Sequence, residues 1–137
     1  MKGIQGWFLK RLGCFSINQL SPSLSALRYA IGLIEKGEQL VVFPEGKINK
    51  YGKKLILKEG LCRLARLATK KTKSIIIIPI GIAYSNVSPK FRGEFCLSFG
   101  QPIAINDYLK TPINEFNSIL NEKMIKQEEI ALKNVGR

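Results

Sequence analysis

Histidine is missing from all 137 residues. Its absence removes every imidazole mechanism from within the chain, whether a general base, a nucleophilic triad or an imidazole–metal site. Aspartate is nearly as scarce, with none before Asp107. The three cysteines, Cys14, Cys62 and Cys96, are odd in number, far apart and set among apolar neighbours, with no Cys-x-x-Cys pair. They predict buried, reduced thiols rather than a disulfide or a zinc site, so no metal is expected. No apolar run approaches the roughly 18 to 20 residues of a membrane-spanning helix. The Met1–Phe15 segment mixes charge with apolar residues and has no small-residue cleavage site, unlike a secretory signal. A cytoplasmic chain is the simplest expectation.

Acid is also in short supply: 10 Asp and Glu face 22 Lys and Arg, a net charge of +12. The imbalance is local. Residues 1–93 hold 17 Lys and Arg against 4 Asp and Glu, whereas residues 94–137 hold 5 against 6. A basic first two thirds implies an anionic partner, either a phosphorylated metabolite, a nucleic acid or an acidic lipid surface. A bias towards Lys, Ile and Asn raises the isoelectric point equally well without any ligand. Hydrophobic residues make up 45% and charged residues 23%, ordinary values for a globular domain, and the length suits a single domain over 1–137.

Along the chain, Ile4, Trp7, Phe8, Leu9 and Leu12 stand among Lys2, Lys10 and Arg11, a spacing that predicts a short amphipathic helix. Such a helix suits a membrane surface, with its aromatics at the interface and its cations on phosphates. Its shortness favours the alternative, that the apolar stripe packs on a sheet. A short strand is predicted over Cys14–Ile17, then a helix with Ser21 as N-cap, Pro22 at its first position and Gly37 as its stop. Gln39–Phe43 reads as a buried strand and Glu59–Lys71 as a second helix. Ser74–Tyr84 is a β-branched run expected to be covered on both faces, with its ladder ending or bulging near Pro79. A loop over Ser85–Arg92, a strand over Glu94–Phe99 and a turn at Gly100–Ile103 follow. Thr111-Pro112 opens a C-terminal helix within 111–137, whose last residues, Lys133–Arg137, are expected to fray. Alternating strands and helices predict an α/β fold, a mostly parallel central sheet with flanking helices. The first strand comes so early that the domain reads as amino-terminally truncated.

The stretch Leu40–Lys50 organises the rest. An apolar run ends in Phe43-Pro44-Glu45-Gly46, and Lys47, Lys50, Lys53, Lys54 and Lys58 follow. Proline sets the turn, Gly46 allows a close backbone approach, and Lys47 and Lys50 suit a phosphate as point charges. Glu45 suits a substrate hydroxyl or the orientation of a lysine. A solvated turn with flexible lysines fits the same spacing, because a four-residue pattern is weak without context.

The context is a family pattern. Phe43-Pro44-Glu45-Gly46 resembles the Phe-Pro-Glu-Gly block of the glycerolipid acyltransferases, the 1-acylglycerol-3-phosphate acyltransferase family. Lys58-Glu59-Gly60 resembles the Lys-x-Gly helix that follows, Ile78-Pro79-Ile80-Gly81 the later Val-Pro-Val/Ile block, and Gly100-Gln101-Pro102-Ile103 the Gly-x-Pro-Ile turn. Gly13 to Gln19 sits where the family has a glycine, an apolar pair and Asp-Arg. The resemblance runs from about Gly6 to Tyr108. It implies acyl transfer from acyl-CoA or acyl carrier protein, as co-substrate and with no cofactor, to a phosphate-bearing glycerolipid acceptor in phospholipid biosynthesis. It places Glu45, Gly46, Lys47 and Lys50 at that acceptor, with Asn18 and Gln19 in the Asp-Arg positions.

Three departures matter. Gly46-Lys47-Ile48-Asn49 replaces the frequent Gly-Thr-Arg-Ser, so a lysine must do without the bidentate geometry of arginine. Asn18-Gln19 removes both charges of the Asp-Arg pair. The family's His-x-x-x-x-Asp block, which supplies the base, has no counterpart here, so no catalytic residue is assigned and the chain alone is predicted to be inactive. Losing a general base forfeits roughly 10²–10⁴-fold in rate. The alternative from another class is a small basic module binding an anionic membrane surface, peripherally on the cytoplasmic face, or a nucleic acid. No specific nucleic-acid partner is expected, since no helix-turn-helix, RNA-recognition or zinc signature is present. A third reading pairs the chain with an intact paralogue through an exposed sheet edge.

Overall fold

The computed structural model describes residues 3–15, 23–46, 56–87 and 92–137, in two compact units, Met1–Val41 and Val42–Arg137. In the first unit, Gly3–Arg11 forms α1 and Leu24–Glu35 forms α2. Ser23 caps α2, its Oγ accepting from the Ala26 N–H at 3.2 Å, which satisfies one of the orphan donors of a helix start. The predicted cap, Ser21 with Pro22, lies outside the described residues. Gly37 stops α2 as predicted, with φ +81°. Its N–H bonds the Ile34 carbonyl at 3.0 Å, and that of Glu38 bonds Leu33 at 3.0 Å, the paired closure for which a residue without Cβ is best suited.

Two expectations fail in this unit. Cys14 and Phe15 belong to no strand. Phe15 instead sets its ring edge-on to Tyr29, 5.0 Å between centroids, while Ser16 and Ile17 lie outside the described residues. The apolar side chains of α1 do not pack on a sheet either: Trp7, Phe8, Leu9 and Leu12 are exposed and Gly6 is buried.

The second unit is built on α3 (Gly60–Ala68), four short strands and α4 (Ile113–Asn134). β1 (Ile76–Ile77) pairs with β4 (Ile103–Ala104), and β2 (Ile80–Tyr84) with β3 (Phe95–Phe99). Both pairings are antiparallel. Mixed helix and sheet is retained from the predicted α/β class, but the mostly parallel sheet is overturned among the described residues. Residues 85–94 join β2 to β3 in the sequence, and the Ser85 N–H bonds the Glu94 carbonyl at 3.0 Å. A short return of this kind makes a hairpin, whereas a parallel pair needs a crossover of a dozen or more residues.

Pro79 breaks the long apolar run where expected. It is fully buried and splits β1 from β2. Ile77 is opposite Ile103 and Ile80 opposite Phe99, so Ile78-Pro79 face the three residues Gly100-Gln101-Pro102. That is a bulge, bridged by the Gly100 N–H on the Pro79 carbonyl at 2.8 Å; proline, having no N–H to give, tolerates such a site. The expected cover on both faces is absent. Gly81, Ala83, Cys96 and Ser98 face α4 or are shielded, whereas Phe95 and Phe99 are each 63% exposed, alongside Ile82, Tyr84 and Leu97. An antiparallel sheet tolerates one open face because its connections do not force helices onto both sides.

Gln39–Phe43, the predicted buried strand, forms no ladder, and Val41 is 82% exposed. A β-branched run becomes a strand only where a neighbour offers its edge.

The core lies between α3, α4 and the β1–β4 end of the sheet. Phe116, Leu120, Ile105 and Cys62 are fully buried there, with Leu57, Ala65 and Ile103. Fully burying Phe116 or Leu120 is worth about 1.5–3 kcal/mol each. Arg66 of α3 turns inward to donate to the Tyr108 and Thr111 carbonyls at the approach to α4. The predicted fraying of Lys133–Arg137 does not occur. Gly136, at φ +77°, closes α4, and the Arg137 guanidinium donates to the Tyr84 carbonyl at 3.1 Å.

The tightest packing is where β2 meets α4. A Cβ on Gly81 would lie 2.2 Å from the Gln127 carbonyl carbon and 2.4 Å from the Glu128 nitrogen. Beside it, the Gln127 amide, buried in the interior, accepts from the Ser98 hydroxyl at 2.7 Å. Gly81→Ala is expected to lower unfolding stability by about 1–3 kcal/mol or more, since backbone cannot rotate out of the way. A reduced urea midpoint checks this.

Candidate functional site

The Pro-Glu-Gly segment is a tight turn. Pro44 takes the second position and Gly46 the fourth, and the Gly46 N–H closes the ring on the Phe43 carbonyl at 3.1 Å. Pro44 pre-sets φ for a type I turn, and glycine is favoured at the position that leaves it; Gly46 takes φ +66°. Its own N–H is thus already committed and is not offered to a ligand.

The turn is anchored rather than free. Pro44 is buried, and its carbonyl accepts from the Lys58 N–H at 2.9 Å. Next to Lys58, the Leu57 carbonyl accepts from the Asn117 amide of α4 at 3.1 Å. Asn117 also receives the Cys62 thiol, at 3.5 Å on its Oδ1. One asparagine therefore ties α3, α4 and the segment that clamps the turn. Burial pushes the Cys62 thiol up, with Glu59 adding to it and Arg66 opposing. Cys62 is the buried reduced thiol expected; Cys14 is exposed and Cys96 half-buried, with Asn134 on its sulfur at 3.7 Å.

Glu45 is half-buried on this turn, and so is Gly46. Lys47, Lys50, Asn18 and Gln19 lie outside the described residues. Spacing did not bring out Glu128. Its carboxyl is raised above the ordinary range by burial first, then by the charges of Glu45 and Glu129. The stretch of α4 that Gly81 admits against β2 thus carries an acid into the field of Glu45. Only the Ile-Pro-Ile-Gly block hinted at this, through a glycine that marks a close backbone approach. In the first unit, Lys10, Gly13, Cys14, Phe15 and the α2 start at Ser23 and Ser25 line an open recess. Among the described residues, no group of three His, Cys, Asp or Glu side chains could hold a metal ion.

Comparison with known proteins places this turn within a family match. A family model described as Acyltransferase matches residues 1–83, a span that contains the Pro-Glu-Gly turn and the strands up to β2. The chain belongs to the acyltransferase family. The acyltransferase chain is also 26% identical over 119 residues to a 1-acyl-sn-glycerol-3-phosphate acyltransferase of Streptococcus pneumoniae (strain ATCC BAA-255 / R6). That alignment covers 86% of this chain and 42% of the relative, so the chain spans less than half the length of the protein it matches. No solved structure matches.

The raised Glu128 carboxyl makes a signed prediction. A carboxyl whose folded pKa exceeds its unfolded value stabilises the fold while protonated and withdraws that contribution as pH rises through the folded pKa. Glu128→Gln is therefore expected to stabilise the protein at pH 7, with the difference vanishing below about pH 4, where both states bind the proton. Unfolding curves of the two proteins at each pH measure it.

Proposed function

We propose that this acyltransferase chain supplies the acceptor-binding part of a glycerolipid acyltransferase, taking a lysophosphatidate-type phosphate at the Pro-Glu-Gly turn. The observation that carries the reading is the clamped turn itself. Pro44 is buried and bonded to Lys58, so Glu45 is presented half-exposed from a fixed backbone, within the span that matches the family. Fixing a polar group before the ligand arrives reduces the ordering cost of binding.

In this reading, Lys47 and Lys50 neutralise the acceptor phosphate, Glu45 accepts from a glycerol hydroxyl, and Asn18 and Gln19 contribute amide hydrogen bonds. Gly46 leaves room for the acceptor beside the turn. The acyl donor is acyl-CoA or acyl carrier protein, as in the family. Deprotonating the acceptor hydroxyl needs a base, and none of the 137 residues is a histidine. Glu45 is engaged with the acceptor and is not that base. These residues alone therefore bind the acceptor without turning it over.

A short-chain lysophosphatidate kept below its micelle concentration is the probe. Calorimetric titration is expected to show saturable binding that weakens by roughly tenfold or more in the Lys47→Ala, Lys50→Ala double variant, tenfold being about the loss of one charge-assisted contact. Acyl-CoA-dependent acylation by the purified chain is expected at background level. Undiminished binding in the double variant would remove the phosphate assignment, and robust turnover would show that a base other than histidine operates here.

A further inference from the structure

The hairpin of β2 and β3 presents one face that α4 leaves open. Side chains alternate along the apolar run: Pro79, Gly81 and Ala83 are buried, whereas Ile78, Ile82 and Tyr84 between and after them are exposed. Three cross-strand pairs, Ile80 with Phe99, Ile82 with Leu97 and Tyr84 with Phe95, make up the open face. The Tyr84 and Phe95 rings stand 6.5 Å apart on it. By the same alternation Ile78 and Ile76, 50% and 59% exposed, extend it past the hairpin. None of these side chains is charged. With Phe95 and Phe99 each 63% exposed, the face offers on the order of 600 Å² of apolar surface, the upper end of what a monomer leaves open.

Area and charge identify the occupant. A stable interface takes about 800 Å² from each partner, so this face supplies most of one side by itself. A nucleic acid or an anionic lipid surface is held by cations, and neither β2 nor β3 contains a Lys or Arg. A second copy brings an equally uncharged face. Residues 94–137, which supply β3 and the helix behind it, hold 5 Lys and Arg against 6 Asp and Glu. Two such surfaces meet without the repulsion that the basic first two thirds of the chain would create. The other side of the hairpin is closed, since Gly81 meets the α4 backbone and Ser98 donates to Gln127. Docking is therefore possible in one direction only. An apolar, uncharged face is self-complementary about a twofold axis, where each copy gives what it receives.

We propose that the chain forms a twofold dimer in which the β2–β3 faces of two copies pack on each other, about 10 Å apart as the sheets of a sandwich are. The central pair, Ile82 and Leu97, lies over its counterpart, with Phe95 and Phe99 closing the two ends. Nothing in this depends on the acceptor-binding reading, since no residue of the Pro-Glu-Gly turn is on this face.

Sedimentation equilibrium of the full chain over a range of protein concentrations tests it. The expected result is a monomer–dimer equilibrium with no larger species, maintained or strengthened as salt is raised, because salt screens the +12 that each copy carries. Leu97→Lys and Phe99→Ser change exposed positions. Each is expected to keep the native circular dichroism spectrum and weaken the dimer by roughly tenfold or more, the scale of losing one buried large side chain. Mixing Leu97→Lys with Leu97→Glu is expected to restore a heterodimer, because the axis brings the two positions together; a variant that had merely lost its fold would not recover in this way. A monomer at every concentration overturns the proposal. So does a dimer that Leu97→Lys leaves intact, or a mixture of the two Leu97 variants that stays monomeric. An open series of larger oligomers overturns the twofold arrangement, and association that nuclease treatment or high salt abolishes assigns the contact to nucleic acid and overturns it too.

Discussion

The second unit depends on one close approach, that of the α4 backbone to β2 at Gly81. Any side chain there would meet main-chain atoms of Gln127 and Glu128, and main chain, unlike a side chain, has no alternative rotamer. The missing Cβ lets the longest helix lie down on the hairpin. From that seat α4 completes the core with Phe116 and Leu120, satisfies the Ser98 hydroxyl through Gln127 and reaches Leu57 through Asn117. Interiors are packed to crystal-like density, so an error of an ångström at Gly81 would be felt along the whole helix.

The Pro-Glu-Gly turn inherits its rigidity from the same arrangement. Its bond to Lys58 would position little if the segment 56–58 were itself loose. That segment is held, since Leu57 is buried and its carbonyl is taken by α4. Under the proposed acceptor role, Glu45 benefits from being carried by such a chain of fixed groups, because each rotor left free would have to be ordered on binding. The link also explains why a like-charged neighbour is tolerated beside Glu45. Glu128 arrives on a helix whose place is set by packing, and its carboxyl is raised by burial first and by the charges of Glu45 and Glu129 after it.

Helices were legible in the sequence because their signals are local. The apolar spacing over Ile4 to Leu12, the stop at Gly37, and the opening at Thr111-Pro112 are each contained within a few residues. The break at Pro79 was legible for the same reason. Strand direction was not, because an apolar run reads alike whichever way its neighbour goes; the antiparallel pairing is set by the short return between β2 and β3. Gln39–Phe43 misled because composition advertises a strand without supplying a partner. The ordered end of α4 was hidden for a related reason, since Arg137 is held by Tyr84, far away in sequence. At the site, turn chemistry pointed to Pro44, Glu45 and Gly46, and the family pattern gave them a role. Glu128 escaped because its relation to Glu45 exists only after α4 has docked.

The bulge at Gly100-Gln101-Pro102 has a consequence for how this segment can change over generations. Phe99 and Ile103 are four residues apart and would share a face of a regular strand. Yet Phe99 looks outward and Ile103 is buried. The extra residue turns the strand over between them. Length at this corner is therefore more constrained by the fold than composition: inserting or deleting a single residue would exchange the inside and outside of everything that follows up to Ile105.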